Sequence, residues 1–166
     1  MQVRIRPAYL LAVVVVVLGW LSLGGAALAQ SSNSLIGTWK INVAKSKFTP
    51  GTAIKSATTK IEAAGAGVKA IVDSVNADTG LVRHWEYTAN LDGKDCAITG
   101  NSSYGDSVAL TRVDANTTQL VYKKAGKATA TQTWVVSSDG KTRTVTIKGA
   151  NTLGQALDNV QIYDKQ

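Results

Sequence analysis

From residue 35 onward, apolar and polar positions alternate in short runs separated by glycine, asparagine and aspartate. A period of two puts successive side chains on opposite faces of a pleated strand, so each run predicts a half-buried β-strand. The runs are Leu35 to Val43, Lys55 to Ala63, Val68 to Val75, Leu81 to Ala89, Asp95 to Thr99, Ser107 to Val113, Thr118 to Lys123, Ala128 to Ser137, Lys141 to Lys148 and Leu157 to Tyr163. Gly65-Ala66-Gly67, Asn76 to Gly80, Asp114 to Asn116 and Asp139-Gly140 mark turns between them, and Asp92-Gly93 is the strongest hairpin signal. Ala44 to Thr52 reads as a polar loop ending in Pro50-Gly51, with one helical turn around Ala44 to Lys47. Gly100 to Gly105 and Gly149 to Gly154 read as further polar loops. No helical period and no βαβ pattern occur after residue 34. The expectation is an all-β, antiparallel up-and-down β-barrel of about 8–10 strands. Sequence neighbours should pair in it, and closure should remove the exposed sheet edges.

The N-terminal segment has a different pattern. Arg4 and Arg6 precede an apolar stretch from Tyr9 to Leu23, and Ala27-Leu28-Ala29 stands before polar Gln30-Ser31-Ser32. That is the layout of a signal peptide over 1–29, cleaved after Ala29, and it implies a periplasmic or secreted domain over 30–166. The alternative is an uncleaved anchor, since Tyr9 to Ala29 is long enough to cross a bilayer. Of 18 basic residues, Arg4 and Arg6 leave with the signal; against 11 acidic residues the remainder has a net charge of +5. The lysines are scattered, with one local cluster at Lys123, Lys124 and Lys127. This is not the concentrated, aromatic-interleaved basic surface of a nucleic-acid-binding protein, and it leaves room for peripheral contact with an anionic membrane. Cys96 is the single cysteine, so no internal disulfide forms and the thiol is expected to be buried. The low cysteine count and alanine-rich signal fit a bacterial exported protein, expected to be monomeric.

Alternation groups the aromatic residues. Trp85 and Tyr87 share a face with Leu81, Arg83 and Ala89; Trp134 shares one with Ala130, Gln132 and Val136; Leu120 and Tyr122 share a third. These faces either pack as core or wall a cavity for an apolar ligand. With one Phe and few Leu or Met, many interior positions must be Thr, Ala or Val, which favours unfilled volume over a solid plug. On the last strand, Val160 and Ile162 point one way and Gln161 and Tyr163 the other; the pattern leaves open which pair faces inward. His84, the sole histidine, shares a face with Glu86, its expected partner. No metal-ligand spacing, nucleophile motif or phosphate-cradling loop is present, so neither a catalytic residue, a metal nor a cofactor is assigned.

Gly37-Thr38-Trp39-Lys40 resembles the Gly-x-Trp opening of the calycin superfamily, the lipocalins and fatty-acid-binding proteins. Asp139-Gly140-Lys141 with alternating Thr142, Thr144 and Thr146 resembles the late hairpin of fatty-acid-binding proteins, and Gln161-Ile162-Tyr163 their terminal Arg-x-Tyr strand. The resemblance implies a barrel closed by Gly37 and Trp39, with an arginine, Arg143 or Arg112, stacked on the indole. It also implies that Gln161 and Tyr163 face the interior, where with Trp85, Tyr87, Tyr122 and Trp134 they would contact a small hydrophobic molecule. Gln161 stands where those relatives carry a carboxylate-binding arginine, and Val135 stands near the other, so a neutral or weakly polar ligand is expected. Two further readings remain: a barrel that binds proteins through its loops, as calycin-like protease inhibitors do, and a haem-binding barrel with His84 as axial ligand.

Overall fold

The computed structural model describes residues 34–166; the expected signal peptide over 1–29 lies outside the described residues. Eleven strands form one antiparallel sheet: β1 (Gly37–Lys47), β2 (Ile54–Ala64), β3 (Gly67–Asn76), β4 (Val82–Asn90), β5 (Asp92–Ala97), β6 (Thr99–Gly100), β7 (Ser107–Arg112), β8 (Thr117–Lys124), β9 (Lys127–Val136), β10 (Thr142–Ala150) and β11 (Ala156–Lys165). There is no helix among the described residues. The order in the sheet is β5-β7-β8-β9-β10-β11-β1-β2-β3-β4-β6, so the ribbon wraps into a nearly closed barrel.

The ladder between β1 and β11 joins the two ends of the meander, with Trp39 opposite Lys165 and Ile41 opposite Tyr163. Gly37 opens β1 at a φ of +136°, in the left-handed region that a side-chain-bearing residue rarely adopts. Trp39, fully buried, plugs the barrel just beyond, and its Nε1 donates to the Leu35 carbonyl at 2.8 Å. A buried indole N–H needs such a partner.

Three expectations are corrected. Residues Ala44 to Lys47 do not form a helical turn. They belong to β1, in a bulge where Asn42 pairs with Ile162 but Lys47 pairs with Val160. Ser46 Oγ donates to the Asn42 carbonyl at 2.7 Å and accepts from the Ile162 amide at 3.0 Å, satisfying the groups that the bulge frees. Asp92-Gly93 does not join paired neighbours. β5 pairs with β7 instead of β4, with its own irregularity between Asp92 and Asp95. Finally, the segment expected as one strand and a loop, Asp95 to Gly105, divides into β5, β6 and a crossing loop.

That crossing spans the seam between the sheet's two edges without a ladder joining them. Thr99 and Gly100 reach back to pair with Glu86 and Trp85 of β4. Gly100 is required there: at φ +100°, a Cβ would lie 2.2 Å from the His84 carbonyl oxygen. The loop then turns Tyr104 into the interior, edge-on to Trp85 at 6.1 Å and tilted against Tyr122 at 5.0 Å. Thr129 Oγ1 donates to the Tyr104 carbonyl and secures it.

Candidate functional site

Alternation along the strands sorts the interior. On β11, Asn159, Gln161 and Tyr163 are buried while Val160 and Ile162 are only half-buried, so the first set faces inward. On β4, Trp85, Tyr87 and Ala89 face inward; on β9, Ala130, Gln132, Trp134 and Val136 do so. Along the cavity the inward residues of β2 and β3 are mostly small, Ala57 and Thr59, Val72 and Ser74, while the larger Ile61 is buried further along β2. Small side chains facing large ones leave space, and the barrel encloses a cavity of about 190 Å³. The interior is therefore not solid, which is the feature separating the carrier reading from a loop-acting barrel.

Trp85, Tyr122, Trp134, Gln161 and Tyr163 border the cavity, together with Arg143. Tyr87 is buried but does not border it. Gly37 and Trp39 lie beyond its floor. The mouth is formed at the opposite end by the turns carrying Gly51, Thr79, Leu81, Asn151 and Leu153. The β1–β2 connection is held against this rim by Asn159, whose Oδ1 accepts from the Thr49 amide at 2.7 Å and from Thr52 Oγ1 at 3.2 Å.

Of the two arginines expected as partners of Trp39, Arg143 fills the role. Its guanidinium carbon lies 5.1 Å from the Trp39 ring centroid, 4.5 Å from Trp134 and 4.7 Å from Tyr163. Each ring presents its electron-rich face to the cation. The residue is 1% exposed, and its Nε and Nη1 have no hydrogen-bond partner. Burial pulls its pKa down to about 10, with the phenols of Tyr163, Tyr87 and Tyr122 acting in the other direction. At neutral pH it remains a cation. Burial also raises the phenols of Tyr87, Tyr104, Tyr122 and Tyr163 above the ordinary tyrosine value, so all four stay neutral.

The polar side chains around the floor pair in a definite sense. Trp134 Nε1 donates to Gln132 Oε1 at 2.8 Å, and the Tyr163 hydroxyl donates to Gln161 Oε1 at 2.9 Å. Trp85 Nε1 is buried without an acceptor.

His84 points outward as a surface residue, with its side chain 58% exposed, so it cannot serve as an axial ligand inside the barrel; its expected pairing with Glu86 is corrected. Its partner is Asp73 on β3, Nδ1 to Oδ1 at 2.7 Å, because cross-strand pairing brings the two residues opposite each other. Glu86 pairs with Lys69 instead, at 3.0 Å. Cys96 is half-buried and its thiol donates to the Val108 carbonyl at 3.1 Å. Among the described residues no cluster of His, Cys, Asp and Glu is arranged to hold a metal.

Tyr104, Asn159 and Arg83 border the cavity without having been singled out as site residues. Asn159 lies two positions before Gln161 and shares its parity, so alternation alone would have found it. Tyr104 lies in a loop, where no periodicity exists to orient it.

No family model matches the sequence, and no curated protein matches it. Among solved structures, the chain is similar to a zebrafish ileal bile acid-binding protein crystallised with cholic acid. The match has 12% identity and a TM-score of 0.47, covering 80% of this chain and 99% of that one.

Proposed function

We propose that this protein is an exported barrel of the calycin type that binds a small, largely apolar molecule in its interior and carries out no catalysis. The observation that supports this most is the cavity itself. About 190 Å³ stays open between an aromatic wall and a wall of Ala57, Thr59, Val72 and Ser74. Protein interiors are otherwise packed as densely as organic crystals, so a barrel shaped only for stability would fill that space. The stack of Arg143 on Trp39 adds support, because it meets the calycin expectation for the closed end. In this reading residues 1–29 direct export, and the ligand enters at the rim of Leu81 and Leu153.

The test is titration of the purified protein with a panel of apolar fluorescent probes and single-chain lipids, followed through tryptophan emission. Saturable one-site binding that perturbs Trp85 or Trp134 is expected. Failure of every member of the panel to saturate would overturn the proposal.

A further inference from the structure

The outer surface of the barrel is charged over one half and uncharged over much of the other. On β2 to β4, three successive rows of cross-strand neighbours carry ions: Asp73 beside His84, Lys60 in line with Glu86, and Glu62 beside Lys69. The ion pairs Lys60–Glu62, Lys69–Glu86 and Asp73–His84 tie these rows together. On the other half, two successive rows cross the sheet without a charge. One runs through Thr111, Gln119, Thr133, Thr146 and Val160, from β7 to β11. The next runs through Thr117, Val135, Thr144 and Ile162, from β8 to β11. These residues alternate with interior ones such as Leu120, Trp134 and Val145, and none of them is buried. Charges return at the margins of the patch, in the pairs Lys148–Asp158 and Lys123–Asp95.

The lack of charge decides what such a face can meet. The chain carries a formal net charge of +7, which holds copies apart wherever lysines face lysines. A two-fold interface sets a patch against itself, so a row holding a lone ion would meet its own sign. The threonine rows meet no such obstacle. A hydroxyl is both donor and acceptor and therefore complements its own copy, while the methyls of Thr, Val and Ile supply apolar contact. Val135, near the middle of the patch, is 42% exposed. At ordinary strand and residue spacings the patch spans roughly 24 by 20 Å, so two copies bury on the order of 1,000 Å² between them. That is the threshold of a specific interface, enough for a reversible dimer and too little for an obligate one.

We propose that the partner of this face is a second copy of the chain. Two barrels pack back to back through β8 to β11, about a two-fold axis near the facing pairs Thr133–Thr146 and Val135–Thr144. This departs from the monomer expected from the sequence. The mouth lies at the strand ends and stays open in both copies, so the dimer stands apart from the interior-binding reading.

Sedimentation equilibrium of the purified protein, from about 5 µM to about 1 mM, should show the mass rising from one chain towards two, with a midpoint on the order of 0.1 mM. Thr133→Lys sets like charges against each other across the axis and should weaken the association at least about tenfold. Thr144→Lys, on the adjacent strand, should do the same and decides the matter if the first variant does not fold. Thr58→Lys makes the same change on the charged half and should leave the midpoint where it is. Raising the salt from about 0.05 to about 0.5 M should tighten the dimer slightly, because only the overall repulsion is screened. A single-chain mass up to about 1 mM would overturn the proposal. So would association that salt abolishes, that continues past two chains, that survives both patch lysines, or that is lost equally in Thr58→Lys.

Discussion

The two sides of the cavity are built on opposite plans. Between their ends at Ile54 and Asn76, strands β2 and β3 contribute Ala57, Thr59, Val72 and Ser74, small side chains with nothing to titrate. Strands β9 to β11 contribute Gln132, Trp134, Arg143, Gln161 and Tyr163, large side chains that hydrogen-bond or stack on one another. The first wall sets the volume and the second sets the chemistry. Perturbing the small wall should change what fits, whereas perturbing the large wall should change how firmly the barrel holds together and what it prefers to bind.

The largest separation of the two walls comes from alkali. Tyr87, Tyr104, Tyr122 and Tyr163 all have raised pKa values because they are buried. Above about pH 10 the unfolded chain loses these phenolic protons while the folded barrel keeps them, so stability falls as pH rises. Each phenol contributes a slope of up to about 1.4 kcal/mol per pH unit. Arg143 acts oppositely: with its folded pKa lowered to about 10, the unfolded state holds the proton more tightly, which offsets one phenol. Urea midpoints measured from pH 8 to 11 should be flat to near pH 10 and then drop steeply. Phenolate absorbance at 295 nm from these four residues should appear only with unfolding.

Trp134→Ala removes a ring from the large wall and strips one face from Arg143. It should lower stability by about 3–5 kcal/mol in urea unfolding. Ala57→Phe instead builds into the open space from the small wall. It should abolish saturable probe binding at a stability cost of about 1–3 kcal/mol. Retained probe binding in that variant would place the ligand elsewhere. The smallest effect is expected from Trp85→Phe, which keeps the ring against Tyr104 but deletes an N–H that has no acceptor. Its unfolding free energy from urea titration should stay the same or rise by up to about 1 kcal/mol, since an unsatisfied buried donor is removed.

Much of this architecture was legible in the chain because alternation carries it. The parity of Trp134 with Gln132, and of Gln161 with Tyr163, followed from counting by twos once an inward face was assumed. What alternation cannot reach is the pairing of residues distant in sequence. His84 finds Asp73 and not Glu86, because the cross-strand neighbour on β3 lies closer than the same-face neighbour two residues along. The Asp92-Gly93 dipeptide carries a strong local preference for a tight hairpin, but tertiary packing takes β5 to β7. The seam left open there is occupied by Tyr104, whose orientation depends on Thr129 and on the rings it meets. Arg143 was visible as a partner for Trp39, yet its lack of an acid partner was not, since that depends on every side chain that lines the floor.

The ladder that sets Trp39 against Lys165 has a kinetic consequence. Those strands are separated by more than a hundred residues of intervening meander, so the contact that seals the barrel is among the longest-range in the molecule. Domains dominated by non-local pairings fold slowly, because loop entropy is lost before the contacts repay it. A nascent chain halted before residue 156 would have hairpins but no ring. Its β1 edge, tryptophan included, would remain open to other chains, making premature termination a route to aggregation.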